Sequence, residues 1–275
     1  MTGSLRAELL VMRKRASTWI LLGIWATLAL VFAYVVPYAQ YLNGSTQSPL
    51  EDVLPGNMVG ALMGGFPFFG GVLALMLGVL AFGSEYGWGT LKTLFTQRPG
   101  RLHVFGAKLL ALAGALVAFV IVVFALGALA GYAIAVREGA DVAWPSLSLL
   151  LRGLAAGWLI LAVWAAFGAL LAVLFRGTAL AVGVGILYAF VIEGLFSALA
   201  TQVSLLDPLV ELFMRASGYS LVVGLGASAD DAGDRGPGSF SGPFVDGEQA
   251  LLVLVSYLAL FVLVAGWRLR SRDVA

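Results

Sequence analysis

The residues able to do chemistry are few, and their spacing suits no catalytic centre. The chain of 275 residues has no cysteine and a single histidine, His103. That excludes thiolate nucleophiles, disulfides, thiolate metal sites and any two-histidine zinc motif. Its lysines, Lys14, Lys92 and Lys108, follow Arg13, Leu91 and Ala107, so none completes the Gly-Lys-Ser/Thr of a phosphate-cradling loop. The chain therefore holds no ATP in a P-loop. Two other features have chemical content. Glu193 is the one acidic residue inside a long apolar stretch, and a carboxylate there is costly and a candidate for function. The segment Gly83–Arg101 is polar and basic but contains Leu91, Leu94 and Phe95, which one helical turn places on a common face before Pro99-Gly100 ends it.

These residues belong to a chain built for lipid. Apolar residues make up 61%, charged residues 11%, and the mean hydropathy is +0.98; a water-soluble domain carries about a quarter charged residues. Crossing ~30 Å of hydrocarbon takes about 20 apolar residues in a helix. Six stretches qualify: Thr18–Tyr38, Val59–Phe82, Leu109–Val136, Leu154–Phe175, Thr178–Ala200 and Ala250–Trp267. The first follows a basic lead-in but is too long for a signal-peptide core, so it is expected to be retained. With the N-terminus in the cytoplasm, 12 of the 16 basic residues fall on that side. The positive-inside rule selects this orientation, and an even number of spans returns the C-terminus there too. The fold class expected is all-α integral membrane, one polytopic domain over 1–275. With a net charge of +1 there is no electrostatic case for nucleic acid.

The lead-in, residues 1–16, places Leu5, Leu9 and Met12 at helical spacing with Arg6 and Arg13 off that face. The pattern fits either an amphipathic helix on the inner leaflet or an ordinary basic anchor that includes Arg15. The apolar turn around Leu91–Phe95 fits a groove on a soluble partner, or a helix resting on the membrane. On the far side, residues 201–248 form a long segment. Its first part, Leu205–Arg215, suggests a short interfacial helix with Asp207–Pro208 as cap and first turn, and Ser228–Gly247 a flexible loop.

Together these features resemble the permease subunits of type-2 ABC exporters. The residues responsible are Glu85 with Gly89-Thr90-Leu91, and the tail Arg98-Pro99-Gly100-Arg101. The resemblance implies two permease chains, a homodimer preferred over a heterodimer, paired with two copies of a separate ABC ATPase that binds ATP and magnesium. This chain itself would bind no cofactor. It further implies a coupling loop over 84–101, with Glu85, Gly89, Thr90, Leu91, Leu94, Phe95 and Arg98 engaging the ATPase. By the same likeness Leu5, Leu9, Met12, Arg13 and Arg15 form an elbow helix, and Leu205–Arg215 matches the family's short outer helices. The expected function is export of a hydrophobic or amphipathic substrate (drug, lipid or peptide) across a bacterial cytoplasmic membrane. The alternative is a secondary transporter or channel independent of an ATPase, which midplane carboxylates and an internal repeat would favour.

Two intramembrane residues complete the candidates. Glu193 lies in the outer third of its span, as part of a substrate path or gate, or as a structural ion pair with a residue such as Arg152. Pro67, within Gly64–Gly71, removes a backbone donor mid-span and is expected to kink the helix, as a hinge or to fit a neighbour. Gly60/Gly64, Gly127/Gly131 and Gly153/Gly157 have the spacing of close helix contacts. Most of the seven Trp are expected at the membrane interface or facing lipid.

Overall fold

The computed structural model describes residues 2–46, 48–87, 100–200, 202–225 and 244–271. Hydrocarbon offers no partner to an open backbone group, so each crossing segment must close its hydrogen bonds within a helix. Six helices are long and apolar enough to cross: Ala16–Leu42, Phe66–Glu85, Leu102–Glu138, Leu147–Phe175, Ala179–Ala200 and Gly247–Ser271, here spans 1 to 6. The chain is a multi-pass membrane protein with no strand among the described residues. A helix over Thr2–Lys14 precedes span 1. The end of span 6 packs beside the start of span 3, where Gly266 faces the Phe105 ring, so the N-terminal helix, the last turn of span 2 and the last turns of span 6 share one end of the bundle. We call it the terminal end.

Spans 2 and 4 form the core. In their most apolar stretches 72% and 78% of residues are buried, against 22–39% in the other four spans. The two helices touch backbone to backbone. A Cβ on Gly78 would collide with the Ala165 carbonyl, and one on Gly168 with the Leu75 carbonyl. Without a hydrophobic drive between helices in lipid, such close approach supplies the attraction through dispersion. The anticipated glycine pairs act one layer out. Gly127 receives Leu62, Gly153 receives Val59, and Gly157 receives Phe66 of the segment leading through span 2.

The path of span 2 is broken, as Pro67 predicts. A short helix, Met58–Met63, passes through Gly64–Gly65 into a π-helical turn, Phe66–Gly70, before the regular helix Gly71–Gly87. Two tryptophans occupy this bend. Trp25 of span 1 lies over Gly65 and Gly70, and the Trp164 ring of span 4 rests on Gly71. Both are buried, so the expected interfacial placement fails for them; Trp19, Trp144 and Trp267 are more than half exposed, as anticipated. Spans 1 and 5 contain π-helical turns of their own, Val31–Val35 and Tyr188–Ile192.

Beyond span 5 the chain departs from the single interfacial helix anticipated at Leu205–Arg215. A 3₁₀ turn, Ser204–Leu206, leads into Asp207–Val210, where Pro208 does occupy the first turn but Leu206 stands at the cap and Asp207 within the helix. The chain then bends and forms a second helix, Met214–Val223, whose residues from Met214 to Val222 are all buried. That helix is a packed element and not a surface one. The stretch 228–243 of the anticipated loop lies outside the described residues.

Glycine 168 offers a direct test of the core. Alanine in place of a mid-helix glycine ordinarily stabilises by ~1 kcal/mol, and Gly114→Ala, where open space surrounds the new methyl, is expected to follow that rule. Gly168→Ala is expected to destabilise by about 1–3 kcal/mol through overpacking. Thermal unfolding followed by tryptophan fluorescence in detergent distinguishes the two; a Gly168→Ala protein as stable as wild type would refute backbone contact as the core.

Candidate functional site

The terminal end of span 2 is fixed by charge. Lys108, two turns into span 3, is 3% exposed, and its ammonium donates to Glu85 Oε1 at 2.5 Å and to Glu8 Oε1 and Oε2 at 2.9 and 2.8 Å. The ring of Phe82 lies 5.9 Å from the same nitrogen. Glu8 belongs to the N-terminal helix and Glu85 to the last turn of span 2, so one lysine binds three elements together. In such a site losing one partner strands a buried charge. A second tie runs parallel: Arg15 Nη1 donates to the Leu80 carbonyl at 2.9 Å, and the Ser84 hydroxyl donates to the same oxygen at 2.8 Å.

This arrangement defines the face of the N-terminal helix that meets the bundle. Leu5, Glu8, Met12 and Arg15 point toward the bundle, while Leu9 and Arg13 are exposed. Glu8, which the sequence reading did not place, joins Leu5 and Met12 on the side that meets the bundle, where Lys108 receives it. Glu85, anticipated among the residues engaging an ATPase, is turned into this cluster at the base of the loop. Gly89, Thr90, Leu91, Leu94, Phe95 and Arg98 lie outside the described residues. Glu8 and Lys108 were not singled out in the sequence. A signal existed, since Glu8, Glu85 and Asp273 are the few acidic residues on a strongly basic side.

A second buried carboxylate sits in span 5. Glu193 is fully buried, and its carboxylate accepts from the backbone N–H of Met214 at 3.0 Å and of Arg215 at 3.3 Å. Tyr188 hydrogen-bonds to the same group. The first N–H groups of any helix lack partners within it. Glu193 supplies them from another element, and its negative charge meets the positive end of the helix dipole. The cationic neighbour is Arg215, whose guanidinium lies 5.7 Å from the Phe68 ring centroid; Arg152, the partner anticipated, is exposed on span 4. The carboxylate is enclosed within the bundle, and its contacts join span 5 to the start of the helix Met214–Val223.

Pro67 stands behind this contact. It is buried, and Gly218 of the helix Met214–Val223 packs on its ring closely enough that a Cβ there would lie 3.0 Å away. The bend thus fits a neighbour. Beside it the three π-helical turns contribute a continuous aromatic strip. Phe32 of span 1 stacks on Phe69 of span 2 at 5.2 Å, Phe69 meets Phe68 at 5.0 Å, and Phe68 meets Phe190 of span 5 at 5.0 Å. Phe32 and Phe69 are half-buried and Phe190 is exposed. Among the described residues no three His, Cys, Asp or Glu side chains gather as a metal site.

The sequence profile described as ABC-2 family transporter protein matches residues 4–192, from the N-terminal helix through the π-helical turn of span 5. The chain belongs to that family. A comparison with curated proteins finds no match. As an ABC-2 family protein the chain is a membrane component of a transporter, and the charged cluster, the bend and the aromatic strip all lie within the matched residues or directly against them.

Two substitutions test the polar contacts of this ABC-2 permease. Lys108→Ala leaves the buried Glu85 facing the partly buried Glu8 without a cation and is expected to cost about 3–5 kcal/mol of stability; removing Glu8 and Glu85 as well should restore part of the loss, because the three residues act as a unit. Additive losses in the thermal midpoints would refute the cluster. Glu193→Ala strips the acceptor from two buried N–H groups and is expected to cost about 1–3 kcal/mol. Glu193→Gln, which retains an acceptor oxygen, should cost less; equal losses would mean that capping is not what Glu193 contributes.

Proposed function

We propose that this ABC-2 permease is the membrane-spanning subunit of an ATP-driven exporter in a bacterial cytoplasmic membrane, moving a hydrophobic or amphipathic molecule. Its terminal end faces the cytoplasm, in keeping with the basic residues concentrated there. ATP and magnesium bind on a separate ABC ATPase, which seats on segment 88–99. Two permease chains, identical copies in the simplest assembly, enclose the path, and two ATPase subunits drive it.

The observation on which this rests is the tie at Lys108. A loop that receives mechanical work needs a stem that does not yield. Glu85 ends span 2 immediately before segment 88–99, and it is locked through Lys108 to span 3 and to the N-terminal helix. A push on the loop therefore moves these three elements together, and the N-terminal helix acts as the elbow. Displacement travels along span 2 to its bend at Gly64–Gly70. There the aromatic strip Phe32–Phe69–Phe68–Phe190 lies, with no carboxylate in the strip itself. Flat apolar rings favour hydrophobic and aromatic cargo over a polar solute, which supports drugs, lipids or apolar peptides as the substrate class. Glu193, holding span 5 to the helix Met214–Val223, is a contact that exposure of the path on the far side would have to strain.

The coupling assignment has its own experiment. Leu94→Asp with Phe95→Asp is expected to abolish co-purification of the ATP-binding subunit while the permease still inserts and elutes as a single species. Normal co-purification of the double variant removes the assignment. Uphill movement of cargo by the purified permease alone, without nucleotide, removes the ATP-driven reading altogether.

A further inference from the structure

Spans 3 and 4 enclose a groove of about 420 Å³ that no part of the proposed transport path uses. Its floor is Met58 and Phe124, both buried, and its walls come from Ile121 and Ala128 on span 3 and Leu154 on span 4. Every residue lining it is apolar. The end toward the span 3–span 4 loop is roofed by Trp144 and Pro145. That roof is held in place: the loop carbonyl of Ala143 lies against Gly56, where a Cβ would approach to 3.4 Å. Toward the opposite end the indole of Trp158 donates to the Ala113 carbonyl at 3.2 Å, bridging the seam between the two spans. The open side faces outward, where Ile121 and Trp144 are each more than half exposed.

The surroundings identify the occupant. The groove opens onto the lipid-facing surface of a multi-pass bundle, so the molecules reaching it come from the bilayer. Along span 3 the lining from Ile121 to Ala128 is ~10 Å long at ~1.5 Å per residue, and the Trp144–Pro145 roof extends it toward the interface. One leaflet contributes about half of the ~30 Å hydrocarbon thickness. An interfacial tryptophan at the mouth marks the depth at which headgroups begin. Length, depth and polarity all match a single alkyl chain entering from one leaflet, and the lining side chains include no charged group to hold a polar head inside the groove. We propose that the groove between spans 3 and 4 holds one acyl chain of a bilayer phospholipid, from the leaflet that meets the span 3–span 4 loop, as a bound lipid distinct from the exchanging annulus. Its neighbour Phe124 makes an edge contact with Phe66 in the bend of span 2 at 6.1 Å, so a seated chain braces that bend from the side away from the aromatic strip.

The test uses the full chain in phosphatidylcholine vesicles with a trace of phosphatidylcholine bearing a photoactivatable diazirine in its acyl chain. After irradiation, adducts are mapped by peptide mass spectrometry. Labelling of residues 121–128 and 144–154 is expected to exceed that of span 6 around Leu252 and Leu263, faces at least as exposed, by about tenfold, the ratio that ~1.4 kcal/mol produces. Ala125→Trp, placing an indole in the groove from an exposed position, is expected to abolish the excess and leave span 6 labelling unchanged. Ala128→Phe serves the same end if the first variant is poorly folded. Even labelling across the lipid-facing spans of the wild-type protein, or an excess that survives both fillings, would overturn the proposal. These readouts are independent of any ATPase, so they stand or fall apart from the exporter reading.

Discussion

The structure depends on two glycines, Gly78 and Gly168, that let spans 2 and 4 meet through their backbones. In a bilayer apolar side chains gain nothing by leaving lipid for protein, so association has to come from closeness of fit. With Cβ atoms absent at the crossing, the backbone of Leu75–Val79 meets that of Ala165–Gly168 directly. The other spans arrange themselves around this pair and remain largely open to lipid. Trp164 on Gly71 and Trp25 on Gly70 extend the same principle, a large flat ring set into a socket that only a missing side chain provides.

Charge is used within this frame for position and little else. In the described bundle the buried ions are held in two places, Lys108 with Glu8 and Glu85, and Glu193 with the start of the helix Met214–Val223. Each joins elements that apolar packing alone would leave free to slide, because a greasy contact has no preferred register and a hydrogen-bonded charge does. The first fixes the N-terminal helix and the stem of segment 88–99 against span 3. The second fixes a helix with a short polar sequence in the midst of apolar neighbours. At the far end of the bundle Tyr38 donates to Glu138 while Arg137 lies over the Tyr38 ring, a more exposed tie between spans 1 and 3.

Much of this fold was legible because lipid leaves a coarse mark. Six apolar runs, the proline at the bend, the N-terminal helix and the lone carboxylate at Glu193 all follow from composition and period. What escaped had causes that sequence distance hides. The inward place of Glu8 went unread, since a glutamate is drawn inside only when a lysine 100 residues away is present to receive it. Met214–Val223 contains Arg215, Ser217, Gly218 and Ser220, a pattern that suggests a surface; its burial depends on Glu193 and on Pro67, neither adjacent to it. Trp25 and Trp164 follow the amphipathic habit of their residue type in isolation and are core residues only because glycines oppose them. In each case the missing information was the identity of a tertiary partner.

The placement of these contacts along span 2 determines how it can move. From Gly70 to Gly78 it is joined to span 4 by fit, and at Leu80 to Glu85 it is joined to the N-terminal helix and span 3 by hydrogen bonds and charge. That half is rigid with its neighbours. Above it the backbone passes through Gly64–Gly65 and a π-helical turn, where regular hydrogen bonding is interrupted and bending is least costly. In the exporter proposed above, motion imposed at the terminal end would be carried to the bend and released there, beside Phe68 and Phe69. Pro67 also supports Gly218, and the helix containing Gly218 is capped by Glu193 of span 5, so the bend contacts span 5 through a second packed route. Spans 2 and 5 share the aromatic strip, and the chain joins them twice: directly through Phe68 and Phe190, and indirectly through a buried helix whose N-terminus one carboxylate holds.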